Sequence, residues 1–191
     1  MNIRLSVLFA ALCLAAPAHA EVTWSMPGST CTWDEAASGS KPLKIGLAAV
    51  QHKGSAKGTI VLNCPIPNYG PEAGLEVANW SLNLTYQDST GTAPAAVVKA
   101  QLLALPLEGS EPADTRRAPA FPVTPGTPIL ITTASSNDSS ATAINTVRKP
   151  FTFNFDYNNY TYWVHVEVTR SAGSQTAVFH AVFLEEIENE M

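Results

Sequence analysis

Apolar and polar residues alternate with a period of two along most of the chain. Between residues 80 and 86 large apolar side chains alternate strictly with polar ones, as a strand with one buried face requires. Residues 151–157 repeat the pattern, and Ile60, Leu62 and Cys64 share one face, so we expect Cys64 to point into a core. Further strand-like segments lie at 43–50, 98–104, 127–133, 160–170 and 176–187.

These segments predict an all-β fold. Roughly eight short strands separated by turn residues, with no amphipathic helix of three turns, favour a single antiparallel β-sandwich of the jelly-roll or immunoglobulin-like kind. A proline-rich stretch at about 105–128 interrupts the rhythm, and because proline cannot donate to a β-ladder we expect a long exposed loop there. Residues 135–143 form a small-polar run between strands.

The first twenty residues have the composition of a signal peptide. Arg4 precedes an apolar stretch at 5–16, and Ala18-His19-Ala20 offers a small-x-small cleavage site, which predicts a mature chain of residues 21–191. The apolar stretch is shorter than the roughly 20 residues that span a bilayer, and no later segment is both long and apolar enough. We therefore expect a periplasmic or secreted protein without membrane insertion.

Cleavage would leave two cysteines in the mature chain. Cys13 lies in the leader, so Cys31 and Cys64 remain, and two cysteines in an oxidising compartment normally pair. The loop that they close, about 34 residues, corresponds to roughly 4 kcal/mol at most on the chain-entropy model. The sequence therefore predicts one disulfide.

The acidic balance narrows the range of partners. The net charge is −5, and residues 185–190 form an acidic C-terminal tail that we expect to be solvated. Such a surface repels phosphate backbones and anionic lipids, so nucleic acid is not an expected partner.

The last two predicted strands suggest a hairpin and a candidate metal site. If a two-residue turn at 172–173 joins them, the register places His165 directly opposite His180, with Glu167 two residues along. Opposed Cβ atoms lie about 5 Å apart. Two imidazoles at that separation could share a divalent ion with the carboxylate. The alternative is an outer face that binds no metal.

Residue patterns of known catalytic sites are absent from the sequence. It contains no nucleophile elbow, phosphate-binding loop, zinc-protease motif or dinucleotide-binding fingerprint. His52 falls in a polar segment and is interpreted as a surface residue. Paired carboxylates for glycoside hydrolysis stay open, with Asp88, Asp156 and Glu167 as candidates. We expect a protein that is not an enzyme and needs no cofactor.

Three aromatic residues suggest a binding surface. Tyr69 and Tyr160 follow asparagines in predicted turns, and Trp163 falls on the outer face of a predicted strand. Aromatic planes beside amides and carboxylates suit sugar stacking or protein contact. The alternative places Trp163 beneath a loop.

Several short segments carry a resemblance to known proteins. With Cys31, the run at 60–67 (IVLNCPIP), the strand ending Tyr86-Gln87-Asp88 and the run at 159–164 (NYTYWV), the chain resembles small exported bacterial β-sandwich proteins of unassigned function. A fainter similarity is to chaperone–usher pilins, which carry one early disulfide. The resemblance implies an exported β-sandwich and carries over no catalytic residues. Together with the exposed aromatic residues, we expect a non-catalytic protein that binds a macromolecule or a glycan. A structural subunit of a surface fibre is the first alternative and a secreted hydrolase the second, and the oligomeric state stays open.

Overall fold

The protein is a two-layered β-sandwich. The computed structural model describes residues 22–38, 43–46, 48–68, 78–107 and 126–187. Within these ranges two antiparallel sheets pack against each other, which confirms the predicted fold class. The leader at 1–20, Tyr69, the central part of the proline-rich stretch at 108–125 and the end of the acidic tail lie outside the described residues. No helix in the described ranges is long and apolar enough to cross a membrane.

The described residues form eleven strands. They are β1 (Val22–Pro27), β2 (Thr32–Trp33), β3 (Leu43–Ile45), β4 (Val50–His52), β5 (Gly58–Ile66), β6 (Ala78–Asp88), β7 (Ala96–Pro106), β8 (Ile129–Ser135), β9 (Asn145–Phe153), β10 (Tyr160–Arg170) and β11 (Ala177–Ile187). The six-stranded sheet has the order β3-β4-β11-β6-β9, with β1 also paired to β11, and the five-stranded sheet has the order β2-β5-β10-β7-β8. A four-residue helix, α1 (Glu35–Ser38), follows β2, and short 3₁₀ turns occupy Gly28–Thr30 and Ser136–Asp138.

The strand count exceeds the predicted one for local reasons. The short strands β1 and β2 were not expected. The predicted strand at 43–50 contains two strands, β3 and the start of β4, and between them the Gly46 amide donates to the Ala49 carbonyl at 2.8 Å. The predicted strand at 151–157 ends at Phe153 because the chain turns around Asp156, whose carbonyl accepts the Tyr160 amide at 3.0 Å.

The core lies between the two sheets and follows the predicted alternation. Val164, Val166 and Val168 of β10 are fully buried and belong to the same apolar cluster as Leu82 and Leu84 of β6. Burying a side chain of this size contributes about 1.5–3 kcal/mol. The strand predicted at 98–104 lies within β7, and its alternate residues form an inward row that is buried: Val98, Ala100, Leu102 and Ala104.

The predicted disulfide is confirmed. Cys31 and Cys64 are bonded, and Cys64 points into the core with no exposed surface. Cys31 follows the 3₁₀ turn at Gly28–Thr30, where the chain passes from the six-stranded sheet to the five-stranded sheet. The bond therefore anchors this passage to β5.

The predicted hairpin of β10 and β11 is wrong. β10 lies between β5 and β7 in one sheet, whereas β11 pairs with β6, β4 and β1 in the other. The connection is an arch rather than a tight turn: the Gln175 side chain accepts from the Ser171 and Ala172 amides, and Arg170 donates to the Gly54 and Ala56 carbonyls. The alternation determines which face of each strand is buried, but not which sheet the strand joins. In a sandwich, the inward faces of strands from opposite sheets pack against each other, so two consecutive strands with matching apolar faces need not pair.

His52 is not the surface residue that the sequence suggested. It is 3% exposed, and its Nε2–H donates to the Val168 carbonyl at 3.0 Å. Val50 and His52 share the inward face of β4, and the polar turn begins only after them. The imidazole therefore connects β4 of one sheet to β10 of the other.

The acidic tail also begins later than predicted. Glu185 belongs to β11 and is 7% exposed. Its carboxylate accepts from the Asn83 amide at 3.3 Å and lies 3.7 Å from the Arg148 guanidinium. This part of the chain is therefore a strand, and not a solvated end.

Candidate ligand-binding groove

Strand β10 presents a row of polar and aromatic side chains on the outer face of the five-stranded sheet. Trp163, His165 and Glu167 alternate with the buried valines and are each partly exposed. Because β10 is the central strand, these side chains have neighbours from β5 on one side and from β7 on the other. The outer face is thus built from residues far apart in the sequence.

The strand register arranges these outward side chains in two rows that run across the strands. The apolar row consists of Pro65, Trp163, Leu103 and Leu130, from β5, β10, β7 and β8. The polar row beside it consists of Thr32, Asn63, His165, Gln101 and Thr133, from β2, β5, β10, β7 and β8. One face of the sheet therefore carries an apolar and a hydrogen-bonding surface side by side.

An open groove of about 540 Å³ lies over the central part of both rows. Its described lining comprises five members of the rows together with Asp34, directly after β2, and Pro128, directly before β8: Asn63, Gln101, Leu103, Trp163, His165, Asp34 and Pro128. The groove is open to solvent, and its lining combines the aromatic side chain of Trp163 with several polar groups. We call this site the Trp163 groove.

A chain of polar contacts fixes the side chains next to Trp163. The Nδ1–H of His165 donates to the Asn63 carboxamide oxygen at 3.2 Å, and its Nε2 lies 3.6 Å from a Glu167 carboxylate oxygen. The other Glu167 oxygen is 2.7 Å from Lys99 Nζ. Both members of this ion pair are about one-third exposed, so the pair contributes little to stability, about 0–1 kcal/mol. The ion pair balances the Glu167 charge, and the hydrogen bond to Asn63 orients the His165 ring.

The three residues of the predicted metal site do not come together. His165 and Glu167 are neighbours on the five-stranded sheet, but His180 belongs to β11 of the six-stranded sheet. The predicted pairing depended on the hairpin, which does not form. Within the described ranges there is no group of three or more His, Cys, Asp or Glu side chains that could hold a metal ion.

His180 occupies a β-bulge in β11. Phe179 pairs with Tyr86 and Ala181 pairs with Thr85, so His180 is the extra residue between them. Its Nε2 is buried, and no described residue offers it a hydrogen-bond partner. The loss of hydration lowers the pKa of His180 below its ordinary value of 6.5.

The predicted aromatic residues also separate. Tyr160 lies on the opposite face of β10 from Trp163 and packs against the core, with its ring 6.3 Å from that of Tyr162. It belongs to an aromatic cluster at one end of the sandwich that also includes Phe155 and Tyr157. Burial raises the pKa of Tyr162 in this cluster. Trp163 is thus the predicted aromatic residue that faces the groove, and Tyr69 lies outside the described residues.

The candidate catalytic carboxylates have separate local roles. Asp88 is fully buried and accepts from the Thr90 amide at 2.7 Å and from the Ser136 hydroxyl at 2.7 Å. Asp156 accepts from the side chain of Asn159 at 2.7 Å within a turn. Glu167 contacts Lys99 on the outer sheet face.

Sequence reasoning missed most of the groove lining. Asn63, Gln101 and Leu103 occupy outward positions that the alternation of their strands could have identified. Their lateral neighbours could not be identified, since Asn63 and His165 lie 102 residues apart in the chain. Asp34 and Pro128 flank strands and follow no periodic pattern.

Comparisons with known proteins provide no functional assignment. No protein-family model and no curated protein sequence matches the chain. Among solved structures, it is similar to a GH115 4-O-methyl-α-glucuronidase with specificity for decorated arabinogalactans, with a TM-score of 0.38 and 10% identity over 90% of this chain and 18% of the enzyme. It is also similar to the mosquito-larvicidal Cry4Aa toxin from Bacillus thuringiensis, with a TM-score of 0.35 and 11% identity over 86% of this chain and 23% of the toxin. Similarities this weak carry no argument about function.

Proposed function

We propose that this protein is an exported, non-catalytic binding module that takes up a glycan in the Trp163 groove. The observation that carries the proposal is the placement of the Trp163 ring beside the amide and imidazole groups of Asn63, Gln101 and His165 in one open groove. Sugar rings have an apolar face that stacks on aromatic rings, and hydroxyl groups at their edges that need hydrogen-bond partners.

Two further features support a binding role over a catalytic one. Asp88 and Asp156 lie away from the groove lining, and their carboxylates accept local hydrogen bonds. Glu167 is next to the groove but is engaged by Lys99 at 2.7 Å. A pair of carboxylates facing each other across a substrate, which glycoside hydrolysis requires, is not formed by these three residues.

Export is supported by the sequence before Glu21 and by the disulfide. A positive residue, an apolar stretch and a small-x-small triplet are typical of a signal peptide. A disulfide persists in oxidising compartments outside the cytoplasm. The glycans available to the mature protein would then be those of the cell envelope or of the surroundings.

The proposal is tested by binding of mature protein (residues 21–191) to an immobilised glycan array, followed by isothermal titration with the strongest ligand. We expect Trp163→Ala to weaken binding by about tenfold or more, as loss of a central aromatic anchor does. Phe183→Ala is the matched control, because Phe183 is a partly exposed aromatic residue of β11 in the other sheet.

Two results would overturn the proposal. One is an array without any bound glycan while the protein is folded and oxidised. The other is equal weakening by Trp163→Ala and Phe183→Ala, which would place the ligand elsewhere. Release of reducing sugar from a bound glycan would contradict the non-catalytic part.

A further inference from the structure

The Trp163 groove crosses the strands instead of following them. Its lining takes residues from, or directly next to, every strand of the five-stranded sheet, in the spatial order Asp34, Asn63, His165, Gln101 and Pro128. Neighbouring strands lie about 4.8 Å apart, so five strands cover about 19 Å from the first to the last. A single hexose ring is much shorter than this, whereas a short linear oligosaccharide can extend over it.

The apolar and polar side chains near the groove are also ordered across the strands. The apolar row and the polar row both run across the strands, from β5 to β8 and from β2 to β8 respectively. A linear chain lying across the sheet would keep ring faces on the apolar row and hydroxyl groups along the polar row over several consecutive units. A chain lying along β10 would instead meet Trp163, His165 and Glu167 in turn, and would lose the apolar contact after one unit.

Charge in the groove disfavours an anionic chain. Its described lining contains the carboxylate of Asp34 and neither lysine nor arginine. Lys99, in the next row, already contacts Glu167 at 2.7 Å. Anionic groups such as uronates or sulfates usually require unpaired cations or helix N-termini.

We infer that the Trp163 groove takes several consecutive units of a linear, uncharged glycan that lies across the strands of the five-stranded sheet. This inference rests on the proposed function and makes it more specific. Its main consequence is that affinity depends on chain length, because residues at the β8 end of the rows add contacts that a monosaccharide on Trp163 does not reach.

The test is an isothermal titration series of mature protein with neutral oligosaccharides of one to six units, in the linkage that binds best on the array. We expect the association constant to rise by about tenfold or more between the disaccharide and the longer chains. Leu130→Ser removes the apolar side chain at the β8 end of the apolar row, where Leu130 is 49% exposed. It should abolish most of that rise.

Ile144→Ser is the control for the Leu130 variant, since Ile144 is also an exposed apolar residue, at 61%, and lies outside both sheets. Equal affinity for the disaccharide and the hexasaccharide would overturn the inference while leaving the proposed function standing. Binding of uronate or sulfated chains in preference to neutral ones would overturn the inference that the glycan is uncharged. An array without any ligand would instead contradict the proposed function itself.

Discussion

His180 shows how the position of a single residue determines its chemistry. It is the extra residue of a β-bulge, and its buried Nε2 has no hydrogen-bond partner among the residues that the structure describes. His165, on the other sheet, has an oxygen atom facing each ring nitrogen. The two histidines were expected to act together on a metal, but only His165 is near the groove. His180 instead ties stability to pH.

Acidification should destabilise the protein in part through His180. Burial lowers its pKa in the folded state, so the unfolded state binds a proton more readily. The free energy of unfolding should therefore fall as the pH drops through the ordinary value of 6.5 towards the lower folded pKa. We expect His180→Gln, which cannot take up this proton, to lose less stability than the parent protein between pH 7.5 and pH 5.5. Urea unfolding at both values measures the difference.

The comparison at pH 7.5 serves as the internal control, because position 180 is then mostly uncharged in both proteins. If His180→Gln lost as much stability on acidification as the parent protein, the proton would be taken up elsewhere.

At the scale of elements, the alternation of apolar and polar residues predicted the strands and their buried faces, but not which strands lie next to each other in a sheet. The bounds expected for one strand coincide with β10 (Tyr160–Arg170), and Trp163 and His165 face outward as expected. The period-two pattern contains no information about the strand alongside, so β11 was assigned to the wrong sheet. The groove was missed for the same reason, since Asn63 and Gln101 come from non-consecutive strands that pair with β10 only in the folded chain.

The turn between β1 and β2 depends on a glycine that packs against β11. A Cβ atom added at Gly28 would lie 2.8 Å from the Phe179 ring and 2.9 Å from the Phe179 carbonyl oxygen. Because that oxygen belongs to the backbone of a central strand, β11 would have to shift. We expect Gly28→Ala to lower the free energy of unfolding by about 1–3 kcal/mol, the cost of overpacking a core.

Gly46→Ala is the matched control for this prediction. Among the described residues, an added Cβ there would have one neighbour within 4 Å, the Ala49 carbonyl at 3.7 Å, which is an ordinary contact. The change should stay within about 0.5 kcal/mol. Urea unfolding of both variants provides the comparison. Similar stability of the two would mean that the turn moves away from Phe179 at little cost.

At the scale of the whole molecule, hydrogen bonds and the disulfide connect the two sheets in addition to core packing. His52 of β4 donates to the Val168 carbonyl of β10. The disulfide holds the passage from β1 to β2 against β5, and β2 itself is only two residues long. Asp34, at the end of the groove, follows β2 and is held to β5 by its amide, which donates to the Val61 carbonyl at 3.0 Å. The disulfide should therefore matter more for stability than for the shape of the groove.

Removing the disulfide separates these two contributions. We expect the double variant Cys31→Ala/Cys64→Ala to lose about 2–4 kcal/mol of unfolding free energy, because the unfolded chain regains the freedom that the closed loop removed. Alanine avoids placing a hydroxyl group at the fully buried Cys64 position. Glycan affinity of the folded variant should stay within a few-fold of the parent protein, since Trp163, His165 and Gln101 are held by β10 and β7 and not by the disulfide.

Reduction of the parent protein is the control and should reproduce the loss of unfolding free energy. Unchanged stability would show that β2 is held by its contacts with β5 alone. Lost glycan affinity in a folded variant would show that the shape of the groove depends on the chain passage at Cys31.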